Sequence, residues 1–235
     1  MSDYVTVSLL RYSGFSNRHW AFFLMGSAPQ NVRRANGAQF VRLLGSGAND
    51  GFGKMPNFGV YALLIAWRDE AAANAFFARY PLWQEIVARS EEQFTAHLQP
   101  TLAHGSWGGE TPFATNGDYD PGEPVAVITR ATISTKRMLE FWRRVPTIVD
   151  SLAEQPGRRI SIGIGEYPLF MQATFSLWTS GKAMQHYAYH SPRHREVIAE
   201  TRRRGWYSEE LFSRFRVLRT EGTWADLDRE TTPAP

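Results

Sequence analysis

Ser90-Glu91-Glu92-Gln93-Phe94 returns later in the chain as Ser208-Glu209-Glu210-Leu211-Phe212, and each copy runs on through a β-like stretch to Gly-x-Trp, Gly105-Ser106-Trp107 and Gly222-Thr223-Trp224. Further correspondences lie upstream. Gly45-Ser46-Gly47 matches Gly163-Ile164-Gly165, a strand ending at Trp67 matches one ending at Trp178, and Pro81 and Pro192 stand the same distance beyond those tryptophans. The spacing slips by a residue at Gly-x-Trp, and the first copy carries a short insertion around Asn49–Met55. Internal repetition of this kind marks tandem copies of one supersecondary unit. The chain therefore divides into residues 1–112 and residues 122–224, joined by a Gly/Pro/Asp-rich linker near Thr115–Pro124 and followed by a tail over 225–235.

Each half reads as β-α-β-β-α-β. In the first, strands are expected at Val5–Arg11, Phe40–Leu44, Val60–Trp67 and Phe94–Leu102, with helices at Arg18–Gly26 and at Asp69–Arg89, the latter broken at Pro81. In the second, strands are expected at Val125–Ile133, Arg159–Ile164, Phe170–Trp178 and Phe212–Arg219, with helices at Thr135–Ala153, Lys182–Tyr189 and Arg193–Arg203. Ser134 or Thr135 is a natural N-cap, and Ser191-Pro192 supplies a cap followed by proline in the first helical turn. This order is the split βαβ, or ferredoxin-like, unit. Its sheet has helices on one face and leaves the other bare, and a bare face must find a partner. The expected fold is α+β: two tandem ferredoxin-like units whose sheets face each other as an intrachain dimeric α/β barrel. The lumen between the sheets is the expected ligand site.

Composition agrees with two domains. The 235 residues are 43% hydrophobic and 14% aromatic, enough to bury a sizeable core and to exclude wholesale disorder. Cysteine is absent, which excludes disulfides, thiolate metal sites, iron–sulfur clusters and a cysteine nucleophile. The net charge is +3, and Lys54, Lys136 and Lys182 are the only lysines among 26 basic residues. Acidic residues are interspersed with the arginines, and even Arg202-Arg203-Arg204 is not interleaved with aromatics, so no nucleic-acid partner is expected. The apolar runs Trp20–Met25 and Val60–Trp67 are too short to span a bilayer, and Met1–Tyr4 does not begin a signal peptide. The expectation is a cytoplasmic protein, with peripheral contact at an anionic membrane surface left open.

The copies differ where chemistry could sit. Trp83 of the first becomes His194 in the second, on a predicted helix that carries Val197, Ile198 and Thr201 at i+3, i+4 and i+7. His194 thus shares an apolar stripe and points inward, either as a satisfied core histidine or as a metal or haem ligand. His186, His190 and His194 are spaced by four, but Pro192 interrupts the run and no acidic residue joins it, which argues against zinc. Arg214 and Arg216 alternate on the last strand and share a face, where they either meet solvent or bind carboxylates such as haem propionates. Gln172, Thr174 and Ser176 make one face of their strand polar, lining either the lumen or solvent. No dinucleotide fingerprint, Walker loop, His-Glu-x-x-His or nucleophile elbow is present.

Phe40–Gly47, Pro56–Trp67, Leu98-Gln99-Pro100, Thr129–Thr132, Gly163–Glu166, Gln172–Trp178 and above all Glu209–Leu218 together resemble the spheroidene monooxygenase family, bacterial carotenoid ketolases, over roughly residues 4–224. The resemblance implies an O2-dependent enzyme containing haem b. It implies an acyclic carotenoid as substrate, hydroxylated and then converted to a ketone, and a reduced carrier such as ferredoxin as electron donor. It assigns His194 as the iron ligand; the propionate role of Arg214 and Arg216 rests on their shared strand face. His186 and His190 do not match the family pattern. Two alternatives stand beside this reading: a dehydratase or peroxidase-like haem enzyme on the same barrel, and a haem-free module binding a hydrophobic ligand.

Overall fold

A computed structural model describes residues 3–48, 53, 55–138, 140, 143, 155–167, 170–190 and 203–225. Eight antiparallel strands close a barrel: β1 (Tyr4–Arg11), β2 (Ala38–Gly47), β3 (Pro56–Trp67), β4 (Glu92–Gly105), β5 (Val125–Ile133), β6 (Arg158–Tyr167), β7 (Met171–Trp178) and β8 (Tyr207–Gly222). Around the ring the order is β1-β3-β2-β6-β7-β5-β8-β4. Each half contributes a sheet of ferredoxin-like order, β4-β1-β3-β2 and β8-β5-β7-β6, so the expected fold is the observed one. The described helices are α1 (Phe15–Val32), α2 (Glu70–Arg79), α3 (Pro81–Arg89) and α4 (Gly181–His190). Asp69 caps α2 through the Ala72 N–H, and Pro81 restarts the chain as α3. The helix expected over 135–153 begins as a 3-10 turn at Thr135–Arg137, and the rest of it and the helix expected over 193–203 fall largely outside the described residues, His194 with them.

Cross-strand pairing sets the true correspondence of the halves. Trp67 pairs with Tyr4 and Trp178 with Val125, which makes Arg11 equivalent to Thr132. Arg11 faces Glu92 and Thr132 faces Glu209, so the Ser-Glu-Glu motifs are offset by one residue from their sequence alignment. Likewise Gly45 pairs with Tyr61 and Gly165 with Gln172; the counterpart of Gly45 is therefore Gly165 rather than Gly163.

The barrel interior is packed rather than open. Val7, Leu9, Phe40, Leu64, Phe94, Ile128, Ile162, Phe175 and Phe215 belong to one buried cluster, with Trp107 and Trp224 from the Gly-x-Trp motifs. Alternate residues of all eight strands converge there, and eight strands leave an interior that side chains can fill. A ligand-filled lumen is thus corrected: the ring is just wide enough for its own side chains.

The Gly-x-Trp motifs are the ends by which β4 and β8 cross onto each other. The Ser106 N–H donates to the Glu210 carbonyl at 2.9 Å and the Thr223 N–H to the Gln93 carbonyl at 2.8 Å. Gly105 (φ 88°) and Gly222 (φ 82°) adopt left-handed backbone there, and a Cβ on either would overlap the carbonyl oxygen of Glu210 or Gln93. Beside Trp107, Arg130 (2% exposed) pairs with Glu209, whose carboxylate also accepts from Ser106 Oγ at 2.7 Å and the Gly109 N–H at 2.8 Å. Trp107 Nε1 donates to Glu166 at 2.9 Å, and Arg42 lies 2.9 Å from the same carboxylate. Burial would push the Glu209 carboxyl up, but donors from Gly109, Ser106, Gly108 and Arg130 override it and hold it down at about 2, from an ordinary 4.5.

Two outcomes follow from these contacts. Gly105→Ala and Gly222→Ala each lose roughly 1–3 kcal/mol in urea unfolding, because strained left-handed backbone and a blocked carbonyl act together. A lowered folded-state pKa contributes stability above the unfolded value. The Glu209 contribution is therefore complete above pH 4.5 and lost as pH falls toward 2, and Glu209→Gln flattens the unfolding midpoint across that window.

Candidate functional site

With the interior filled, the remaining layer is between each sheet's outer face and its helices, and here the halves diverge. In the first unit Val41, Leu43, Tyr61, Leu63 and Ile65 face outward and are buried with Leu24, Ala28 and Val32 of α1 and Phe76 of α2. Their equivalents in the second unit, by pairing register, are Ser161, Gly163, Gln172, Thr174 and Ser176. All five are replaced by small or polar residues, while Trp67 at the end of the same wall is retained as Trp178. Leu10 of β1 likewise becomes Ala131 of β5.

Among the described residues, apolar packing on the second unit's outer face is confined to one end. There α4 lays Met184 and Tyr187 over Val125, Val127 and Trp178, with Trp178 and Tyr187 stacked at 5.5 Å between centroids. In the next cross-strand rows, Phe212–Thr129–Thr174–Gly163 and Glu210–Ala131–Gln172–Gly165, the surface is low from β5 to β6 and is bordered on β8 by Phe212. Ser161 Oγ is buried at its edge with no hydrogen-bond partner among the described residues, whereas Ser176 Oγ accepts from Trp178 Nε1 at 3.0 Å. A buried hydroxyl without a partner costs free energy, which marks the place as one that a further group completes.

Arg214 and Arg216 do share a face, and it is this outer one. Arg214 stands in the row of Val127, Ser176 and Ser161, and Arg216 in the row of Val125 and Trp178. Linker residues hold both. The Arg214 guanidinium lies 3.4 Å from the Tyr119 ring centroid and its Nε donates to Thr101 Oγ1 at 3.2 Å. Arg216 grips Glu123 through Nε at 2.8 Å and Nη2 at 3.1 Å. Gln172, Thr174 and Ser176 face this helix layer, not the lumen, a correction that follows from Ala173, Phe175 and Leu177 filling the interior. His186 lies on the exposed side of α4.

Sequence reading missed the inward Arg42, Arg130, Glu166 and Glu209. A signal was present: Arg130 interrupts the apolar alternation Ala126–Ile128 of β5, and Glu209 occupies the same parity as Leu211 on β8. Their mutual pairing becomes visible only when four strands meet at one end of the barrel.

No protein-family model matches the chain. Among solved structures, aldoxime dehydratase superposes with a TM-score of 0.60 at 13% identity, over 91% of this chain and 81% of that one. A second aldoxime dehydratase, in complex with butyraldoxime, gives the same score over 91% and 79%. These likenesses define the fold class as a closed α+β barrel of two fused ferredoxin-like units. Within it, the spheroidene monooxygenase of Rhodobacter capsulatus is 38% identical over 95% of this chain and 93% of its own length. Those of Cereibacter sphaeroides (34%, over 95% and 69%) and Rubrivivax gelatinosus (36%, over 88% and 79%) are similar. The chain belongs to the spheroidene monooxygenase family and is an oxygenase.

Refilling the second unit's wall tests where the oxygenase works. Gly163→Leu with Thr174→Leu restores the residues of the first unit, and the double variant is expected to melt cooperatively while losing roughly tenfold to hundredfold in kcat/KM, the scale on which displaced substrate acts.

Proposed function

We propose that the chain is a haem-dependent monooxygenase that inserts oxygen at an allylic carbon of an acyclic carotenoid, giving first a hydroxylated and then a keto product. O2 is the oxidant, and a reduced carrier such as ferredoxin supplies electrons. The observation that carries this reading is the exchange of Val41, Leu43, Tyr61, Leu63 and Ile65 for Ser161, Gly163, Gln172, Thr174 and Ser176 at register-equivalent positions of β2/β3 and β6/β7. The relatives bearing the spheroidene monooxygenase name support the substrate.

The residues fit a haem b in the second unit, residues 122–224. A flat tetrapyrrole needs a wall without projecting side chains, and Gly163, Thr129, Ala131 and Thr174 make one. It would need an imidazole ligand, and His194, which the sequence places on a predicted apolar stripe with Val197, Ile198 and Thr201, would supply it. It needs cations for its carboxylates. Arg214 stands one row from the wall, and the two-pronged contact of Arg216 with Glu123 is the interaction a propionate would make. Bound haem supplies the O2 activation and one-electron chemistry that amino-acid side chains lack.

The chain's own groups do the rest. Apolar residues around α4 exclude water from one end of the layer. Thr174 Oγ1 and Gln172 Nε2, both half-buried on the wall, are hydrogen-bond donors that orient an oxygen-bearing substrate carbon. Such donors also hold the first product's hydroxyl in place for the second oxidation at the same carbon.

The test is spectroscopic and chemical. Purified protein is expected to show a Soret band, and spheroidene with O2 and reduced ferredoxin is expected to gain one oxygen. His194→Ala loses the band, while His186→Ala and His190→Ala keep it. Arg214→Leu weakens haem affinity by roughly tenfold to hundredfold, the equivalent of one charged hydrogen bond. Oxygenation by protein free of haem would refute the cofactor, and a haem-loaded protein that leaves spheroidene unchanged would refute the substrate.

A further inference from the structure

Helix α1 has two apolar faces. Ala21, Leu24, Ala28 and Val32 pack on the first sheet, as a surface helix requires. The opposite side, where polar residues belong, carries Phe15 (85% exposed), Phe22 and Phe23 (63%). The rings are continuous: Phe15–His19 5.7 Å, His19–Phe23 4.6 Å, Phe22–Phe23 5.6 Å and Phe22–Phe58 5.5 Å between centroids. Phe58, with exposed Met55, extends the patch onto the start of β3. Single exposed apolar residues are ordinary, but a contiguous ring-on-ring patch marks an interaction surface.

Charge identifies the partner. Between Asp3 and Asp50 the sequence holds no acidic residue. Arg18 lies beside Phe15 and Phe22 on the exposed side, and Arg33 and Arg34 are exposed just beyond the helix end. None of the three makes an ion pair among the described residues. Aromatic side chains with arginines alongside are the composition of a helix lying in a lipid interface. A symmetric contact with a second copy would instead set these arginines against themselves.

We propose that the outer face of α1, with Met55 and Phe58, docks the enzyme on the surface of an anionic phospholipid bilayer. The helix also reaches the seam between the units: Met25, on its sheet-packed side, comes within 3.9 Å of the Cβ position of Gly45, and Gly45 pairs with Gly165 of β6. A substrate dissolved in the bilayer therefore has a short path across the β2–β6 seam. That path rests on the carotenoid reading; the docking does not.

Sedimentation with vesicles of equal parts phosphatidylglycerol and phosphatidylcholine, free of carotenoid, tests the docking alone. The parent is expected to co-sediment, and Phe15→Ser with Phe22→Ser and Phe23→Ser to lower the partition coefficient at least ~tenfold without changing the melting curve. Arg33→Glu with Arg34→Glu removes the preference over pure phosphatidylcholine, each cation being worth roughly fivefold at an anionic surface. With spheroidene present, the triple serine variant loses turnover of vesicle-borne substrate and keeps that of detergent-dispersed substrate. The proposal fails if the parent stays in the supernatant, or if the triple variant sediments as the parent does. It also fails if the serines only convert a dimeric parent to a monomer. Vesicle binding by a parent that oxidises neither form of spheroidene leaves the docking in place and removes the functional reading.

Discussion

The reciprocal crossing of β4 and β8 is the constraint on which the rest of the molecule depends. Each strand runs past the end of its own sheet and hydrogen-bonds to the other unit, and each crossing turns at a left-handed glycine that can approach a carbonyl only because it has no Cβ. Without the crossing, each four-stranded sheet would have an unpaired edge beside a bare apolar face, the arrangement most prone to wrong association. With it, the two bare faces become one interior, and Trp107 and Trp224 join that interior just beyond the crossings. Among the described residues the β2–β6 ladder pairs only Gly45 with Gly165 and Ser46 with Ile164, against eleven pairs between β4 and β8, so the β4–β8 seam holds most of the closure.

Closure relocates the chemistry. The described strands fill the ring with their own side chains, and the outer faces under the helices are where the two units differ. Duplication makes that affordable. The first unit packs helices on leucine, isoleucine, valine and tyrosine, and at the register-equivalent positions the second unit carries glycine, serine, threonine and glutamine. The lost burial in one half is tolerated because both halves share a single interior.

One end of the barrel is ionic. Arg42, Arg130, Glu166 and Glu209 meet around Trp107, and they come from β2, β5, β6 and β8. A buried set of this kind adds little net stability over apolar packing but is costly to leave half-paired. It therefore penalises any register in which the two units close incorrectly. The first unit's equivalent of Glu209, Glu92, pairs simply with Arg11 near solvent, which shows the two ends specialising in different directions from one ancestral pattern.

Strand alternation, proline and capping positions, and the recurrence of Ser-Glu-Glu and Gly-x-Trp are properties of local sequence. They determined the βαββαβ order, the duplication, the break at Pro81 and the fusion into one barrel, and they singled out Arg214 and Arg216 as sharing a face. Which face that is, and which side of β7 meets the interior, only the tertiary structure decided. In a strand buried on both sides, as β3 is from Val60 to Trp67, both parities are apolar and alternation carries no direction; in β1 and β7 it separates two faces without saying which one is the interior. The one-residue offset of Glu92 against Glu209, and the shift of Gly45 onto Gly165, have the same origin. Residues correspond through their hydrogen-bonded partners across the sheet, and those partners lie on other strands, beyond the reach of spacing along the chain.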